Sequence, residues 1–352
     1  MRNSLRRWFF FCAVMYCAIP SDGATGDCRI DRTTQEATVF KVHVSDGCPG
    51  YERESQAVWA KHILAAIKQG KSIDLSGVVI QGDLSFDDLP IGMLPKEMAT
   101  EALESRANVR IVPGSFSIVN SVVRGAIQHK STQDLLVMNG PVTVSNTRFE
   151  QPVDLSRALF VQAVVLSAAV FLKESYFVQG RFLRDLFAEN VKFGPHTRFH
   201  RAHFRGPVTF RQSVFGGLAE FLEVEFERDA DFSGTYFKAG TGFSGGHFGG
   251  AVDFSDARFE REAFFTFTQF DGDAVFLRAT FGSMADFDDA QFTARDDFSK
   301  VLFKGDSRFA RVKRPRNGTA APGIENPQVQ YVITLSLLVF SVLLIAYLIR
   351  SR

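Results

Sequence analysis

The sequence predicts an all-β solenoid, and three observations carry that prediction. Phenylalanine recurs every eleven residues at Phe149, Phe160, Phe171, Phe182, Phe193, Phe204, Phe215, Phe226, Phe237, Phe248, Phe259, Phe270, Phe281, Phe292 and Phe303. A second column stands five residues before each of these, running Val144, Leu155, Leu166, Phe177, Ala188, Phe199 and then Phe at every eleventh residue to Phe309. The two columns hold 27 of the 37 Phe. Two residues before each member of the first column stands a small or β-branched residue, from Thr147, Ala158, Ala169 and Gly180 through to Ala290 and Val301.

A period of eleven can also signal a right-handed helical supercoil. The alternation of five- and six-residue steps excludes it here. On a helix such steps rotate by roughly 140° and 240°, so the marks would not share a face. A single flat strand fails as well, because a step of five reverses the side-chain direction and a step of six does not. The chain therefore turns a corner within every step, and successive coils stack through backbone hydrogen bonds. The small column supplies a second, shallower inward position beside each Phe. Two inward residues per side leave a filled core, not a channel, while Asp, Glu, Arg, Lys, Ser and Gly fall at corners and on the outer surface.

Stretches such as Ala230-Asp231-Phe232-Ser233-Gly234 and Ala285-Asp286-Phe287-Asp288-Asp289 place a central Phe behind a small and a polar residue. In this the chain resembles the pentapeptide-repeat family, strongly over about residues 142 to 310. The resemblance implies a right-handed quadrilateral β-helix. Its departure is the alternation of five with six, which gives about 22 residues per coil in place of 20.

The phase extends backward through Phe116, Ile127 and Met138 in one column and Ile111 and Val122 in the other, with Gln133 out of step. Leu75, Ile80 and Phe86 repeat the five-then-six step further upstream. These marks predict a first coil and helical insertion over 73–110, the insertion lying near 95–106, and the main β-helix over 111–310. From 111 to 309 that is about nine coils, roughly 43 Å of stack at the strand spacing. Ahead of it, residues 37–44 read as a strand. Residues 54–69 read as an amphipathic helix with Val58, Ile63, Leu64 and Ile67 on one face and Gly70 as its stop. An open solenoid end exposes core, and this helix, assisted by Trp59, is the expected N-terminal cap within a segment spanning 24–72.

The two ends suggest a location. Arg2, Arg6 and Arg7 precede an apolar run from Trp8 to Ile19 and then small residues, the layout of a signal peptide over 1–23. Export would place Cys28 and Cys48 in an oxidising compartment, where they are expected to pair and to add about 3 kcal/mol by closing a loop of about 20 residues. Residues 331–349 contain no charge. They predict a transmembrane helix over 329–350, reached by a basic, proline-containing linker at 311–328 and followed by a short tail, 351–352. The expected location is a single pass through the cytoplasmic membrane with the solenoid on the extracytoplasmic side. Arg311, Lys313, Arg314 and Arg316 on that side run against the charge rule for topology, and the ending also resembles a processed sorting tail.

Overall charge is close to neutral, with 40 basic and 39 acidic residues, but the halves differ. Residues 149–219 carry nine Lys/Arg against five Asp/Glu, and 220–310 carry nine against eighteen. The acidic half reads either as a solvated surface or as a partner-facing wall. No catalytic residues, cofactor-binding residues or metal ligands are assigned. His196, His200 and His203 would form a metal face on a helix, but on a solenoid they point from different sides. Asp271/Asp273, Asp286/Asp288/Asp289 and Asp296/Asp297 lack the glycine-aspartate pattern of calcium-binding β-rolls and read as corners and outer faces. Asn317-Gly318-Thr319 has glycosylation spacing, relevant only in a eukaryotic secretory pathway. The Phe columns are read as structural core. The expected function is a non-enzymatic, membrane-anchored scaffold for a protein partner of unknown identity, with no cofactor, small-molecule substrate or nucleic acid. Two alternatives stand beside it. One, implied by the family resemblance, is a DNA mimic that binds topoisomerase. The other is an accessory subunit of a membrane channel or sensor, whose span would offer only Thr334, Ser336 and Ser341 as polar groups.

Overall fold

The computed structural model describes residues 27–33, 38–93 and 108–315. They build a β-solenoid of about eleven turns with four walls. Among the described residues the walls are sheets of 12, 11, 10 and 10 strands, parallel throughout except where the first strand meets the second and where a short strand at 92–93 meets its neighbour. Chain order begins β1 (Ile30–Thr33), β2 (Val39–Val44), α1 (Gly50–Ser55), β3 (Val58–Trp59), α2 (Ala60–Lys68), β4 (Ser72–Ser76), β5 (Val79–Gln81), β6 (Leu84–Ser85), β7 (Gly92–Met93), β8 (Asn108–Val112) and β9 (Phe116–Val119). Thereafter strands of two to five residues follow one per wall. Wall one carries β2, β4, β9 and strands such as 208–209; wall two β3, β5 and 214–215; wall three β6 and 218–220; wall four β8 and 225–226.

The two kinds of corner explain the five-and-six alternation. At the five-residue corners the chain makes a turn closed by an N–H reaching back three residues, as from Ala169 to the Leu166 carbonyl at 2.9 Å and from Ser213 to Phe210 at 3.0 Å. The third residue of each turn is left-handed, every eleventh residue from Asn146 to Arg311, with φ from 50° to 68°. A positive φ there is the requirement of a type II turn. The six-residue corners bend without it and bring coils into close backbone contact. A Cβ built on Gly217 would lie 1.7 Å from the Pro195 carbonyl oxygen, so no side chain fits at that corner.

Register then follows the sequence period. Arg148 pairs with Val170, 22 residues on. This stacks each Phe on its counterpart in the next coil, with centroids 4.6 Å apart for Phe160 and Phe182 and 5.3 Å for Phe171 and Phe193. Rings of different columns meet edge-on, as Phe221 and Phe232 do at 5.6 Å and 89°. Ring stacks and T-shaped contacts add to the burial term, which for each fully buried Phe is about 1.5–3 kcal/mol. The small column is buried with them: Thr147, Ala169, Ser213 and Thr268 are all fully enclosed. Their hydroxyls are satisfied by carbonyls of the coil below, Ser213 reaching Ala188 at 2.6 Å and Thr268 reaching Phe243 at 3.0 Å.

Several expectations are corrected. The backward phase is displaced, because one coil is four residues longer: Val122 pairs with Arg148, a step of 26. Met138 stands in the Phe column as expected, aligned with Phe160 and Val112. Ile111 instead falls one residue short and faces outward, where it packs with Val109, Val137 and Leu159 in a second apolar cluster on wall four. Phe116 and Ile127 occupy the shallow position, paired with Val142 and Val153, and Val123, not Val122, aligns with Phe149. Upstream, residues 54–69 do not form one helix: Val58 lies in β3 on wall two, and α2 buries Ala60, Ile63, Ala66 and Ile67 while Leu64 is only partly covered. β2 pairs in parallel with β4, so the stack already includes residues 39–44. Cys28 and Cys48 are joined by a disulfide.

The expected location is also corrected. Among the described residues no helix is long and apolar enough to cross a membrane, and α1 and α2 have six and nine residues. The single-pass membrane placement is therefore withdrawn. The expected signal peptide at 1–23, the insertion near 95–106 and the apolar run 331–349 lie outside the described residues, as does the 316–328 part of the linker.

Candidate interaction surface

Over the described residues the interior is filled by rings and small side chains, so the outward positions are what the solenoid presents to its surroundings. Each strand turns one side chain outward between its two inward ones, so residues 22 apart form ladders up a wall. Residues at and beside the left-handed corners stack at the same 22-residue interval, and many of these rungs are ion pairs between consecutive coils. Arg201 pairs with Glu223 at 2.8 Å, Arg211 with Glu189 at 3.1 Å, Arg278 with Asp256 and Arg311 with Asp289, both at 2.6 Å. The hydrogen bond from its arginine holds each of Glu223, Asp256, Asp273 and Asp289 below the ordinary carboxylate range. Glu220 is more enclosed: burial pushes its carboxyl up, but hydrogen bonds from His196 and Arg198 outweigh that and hold it low.

Other acids close corners. Asp231, Asp253 and Asp297 each accept the backbone N–H two residues on, at 2.8, 2.6 and 2.8 Å. From Glu220 to Asp297 every carboxylate accepts a hydrogen bond or lies within 4.0 Å of a basic side chain. The acidic excess of 220–310 is thus largely a matter of where the window is cut. Its acids pair with Arg198, Arg201, Arg205, Arg311 and Arg314, all outside it.

A family model described as pentapeptide repeats, nine copies, matches residues 195–236. The chain carries pentapeptide repeats. No curated protein and no solved structure matches it.

The histidine group does not converge on this pentapeptide-repeat solenoid. His196 on wall three contacts Glu220 at 2.8 Å, and His203 on wall four contacts Glu227 at 2.6 Å, with Arg181 3.2 Å from its other nitrogen. Of the aspartate groups, Asp271 meets His247, Asp273 meets Arg295, and Asp288 accepts the N–H of Ala310. Asp286 and Asp296 are buried, which the outward reading of those groups did not foresee. Asp296 stands two residues before Phe298, at an inward position in register with Ala274.

Among the described residues, two groups bring three possible metal ligands within 4.8 Å of one another: His203 with Glu225 and Glu227, and Asp87 with His129 and Asp134. The second was missed by sequence reasoning. His129 stands where Leu155 and Phe177 stand in later coils, and is fully buried. Its Nδ1 lies 2.8 Å from Asp87 and its Nε2 3.3 Å from the Asp134 carbonyl, while Arg110 donates to Asp134 at 2.7 Å. Both imidazole nitrogens face protein oxygens and an arginine already serves the second acid. The group forms a polar network that fastens the four-residue insertion at 129–134 to the core, with Asp134 Oδ1 alone left without a hydrogen bond. Only a break in phase at those residues hinted at it.

One stretch of wall three lacks charge. Its outward ladder runs Arg198, Glu220, Gly242, Phe264, Asp286. Phe264 is 36% exposed, and Phe267 at the next corner is 64% exposed. Phe267 also holds φ at +57°, in a column otherwise filled by polar residues, glycine or alanine. A bulky residue there is strained, at about 1–2 kcal/mol.

Proposed function

We propose that this pentapeptide-repeat solenoid is a non-enzymatic scaffold whose contact with a partner protein centres on Phe264 and Phe267. A pentapeptide-repeat solenoid fits a structural or interaction role. The observation that carries the finer reading is Phe267, exposed and left-handed at once. Exposure of an aromatic ring and backbone strain both lower stability, and residues that combine them cluster at binding surfaces. Gly242 and Gly245 on the coil beneath leave the rings unobstructed, and the ion-pair rungs on either side supply a polar rim.

α2 serves in this reading as the cover of the first coil. Its buried face closes on the core beside β4 and β6, and the Cys28–Cys48 disulfide fastens the strand that precedes it. The engagement of the distal carboxylates favours the scaffold over DNA mimicry, which needs a free, phosphate-like acidic surface. A photo-crosslinking residue placed at 267 in the full chain tests the proposal in cells. A discrete adduct that disappears with Phe264→Ser is expected; adducts formed only from walls one or two would refute it.

A further inference from the structure

The coil that runs beneath Phe264 and Phe267 is nearly bare on its outer face. Along wall three Thr241 and Phe243 are buried, and between and beside them stand Gly240, Gly242, Ser244 and Gly245. The coil below sends two leucines up over the glycines: a Cβ built on Gly240 would lie 3.4 Å from Leu218 Cδ1, and one on Gly242 would lie 2.8 Å from Leu222 Cδ2. Leu218 is nevertheless 40% exposed. From the coil above, Phe264 stands over Gly242 and Phe267 over Gly245. The result is a shallow groove along the strand direction, with glycine at its back, leucine on its lower lip and phenylalanine on its upper one.

The lips are two strand spacings, about 10 Å, apart. An α-helix with its side chains is about 10–12 Å across and would ride over them, whereas a single extended chain settles between them. From Gly240 to Gly245 the groove holds about five extended residues. Backbone pairing is closed to that chain, because the wall's own N–H groups are engaged within the stack, Phe221 with the Gly242 carbonyl and Phe243 with the Phe264 carbonyl, both at 2.7 Å. Side chains must therefore make the contact. One charge marks the entrance. Glu262, in line with Gly240, accepts hydrogen bonds from its own backbone N–H and from the Ser283 hydroxyl at 2.9 Å, which hold its carboxyl low, with a smaller pull from Arg261. Its side-chain hydrogen-bond partner is neutral, whereas Glu220 and Glu223 on the lower lip are answered by Arg198 and Arg201.

We propose that this groove holds an extended segment of the partner protein, apolar at alternate residues, with a lysine or arginine at the end that meets Glu262. The inference rests on Phe264 and Phe267 being the partner surface, and adds the shape and chemistry of what they grip. Alternate side chains of an extended chain point to one face, so every second residue packs between the leucines and the rings. The intervening residues stay in solvent. A cation at the entrance meets the one carboxylate of the groove whose side-chain hydrogen-bond partner is neutral, beside the ring of Phe264.

Photo-crosslinking residues placed one at a time at 218, 264 and 267 of the full chain, with the partner residues located by mass spectrometry, test it. Adducts from 218 and 264, on opposite lips, are expected within about three residues of each other in one partner sequence, beside a basic residue. Filling the groove with Gly240→Val or Gly242→Val should lower the adduct yield at 267 at least about tenfold, and Glu262→Gln about threefold. Circular dichroism of each variant separates loss of contact from loss of fold. Adducts from the two lips that fall three or four residues apart in helical register, far apart in the partner sequence, or on the walls of a second solenoid would overturn the groove and leave Phe264 and Phe267 as a contact. So would a yield unchanged in the folded, filled variants. No discrete adduct from 264 or 267 would overturn both readings.

Discussion

Arg314 stands one 22-residue step beyond Phe292 in the Phe column of wall four, and its guanidinium pairs with Asp296, the buried acid two residues before Phe298 on wall one. Its carbon lies 5.5 Å from the Phe292 ring centre, 5.9 Å from Phe298 and 5.8 Å from Phe309. A cation over three ring faces, closed by a buried carboxylate, finishes the last coil as another Phe would have continued it. The basic cluster at 311–314 is therefore part of the solenoid, with Arg311 at the last left-handed corner and Lys313 bridged to Gln291.

Removing one partner of this pair leaves the other buried. Arg314→Ala is expected to cost about 3–5 kcal/mol in the final coils. Arg314→Leu/Asp296→Ala should recover most of that, because the buried carboxylate is removed together with its arginine. Native-state hydrogen exchange of residues 291–303 checks both; equal protection in Arg314→Ala and the parent would remove the capping role.

His129 is replaced by Leu or Phe at the same position of later coils, so a sequence average would favour His129→Leu. The opposite outcome is expected. The leucine would fill the space but strip Asp87 and the Asp134 carbonyl of their shared partner, at about 1–3 kcal/mol. Urea unfolding of His129→Leu should show this loss, and Leu155→His would fail more severely for want of any acid pair. A stabilised His129→Leu would show the network to be dispensable.

The inter-coil ladders make stability depend on pH in one direction. Hydrogen bonds from arginine lower the carboxyls of Glu223, Asp256, Asp273 and Asp289 in the folded chain. A depressed folded pKa adds stability above the unfolded value, near 4, and that contribution is lost as pH falls through the folded one. Melting temperature should thus hold from pH 7 to about 5 and drop below 4. These pairs are exposed, so added salt should shrink the effect. In Arg201→Gln, Arg278→Gln, Arg295→Gln and Arg311→Gln combined, the acid-side drop should be shallower.

Phe267 sets stability against contact. Phe267→Gly or Phe267→Asn relieves the left-handed strain and is expected to raise stability by about 1 kcal/mol while weakening partner crosslinking. Thermal unfolding with crosslink yield on the same variants reads both quantities. A destabilised Phe267→Gly would mean that the ring packs on the solenoid instead of waiting for a partner.

Between Phe149 and Phe303 the repeat was legible almost residue by residue, since a fixed step of eleven leaves a single phase that buries every ring. Upstream it was not. Four extra residues at 129–134 displaced the phase, so Ile111 was read as inward and His129 went unnoticed. β3 was read as helix because Val58 also fits a 3.6-residue period, whereas parallel pairing with β5 decided its state. The acidic half was visible as a count, but not that its carboxylates were already engaged one coil away.

By itself the sequence determined the coil, its period and its filled interior. These depend on side-chain spacing along the chain, and spacing is written in the order of residues. The tertiary structure alone decided which outward residues meet. Partners 22 positions apart become neighbours only when coils stack, and that stacking joins Arg278 to Asp256 and leaves Phe267 in solvent.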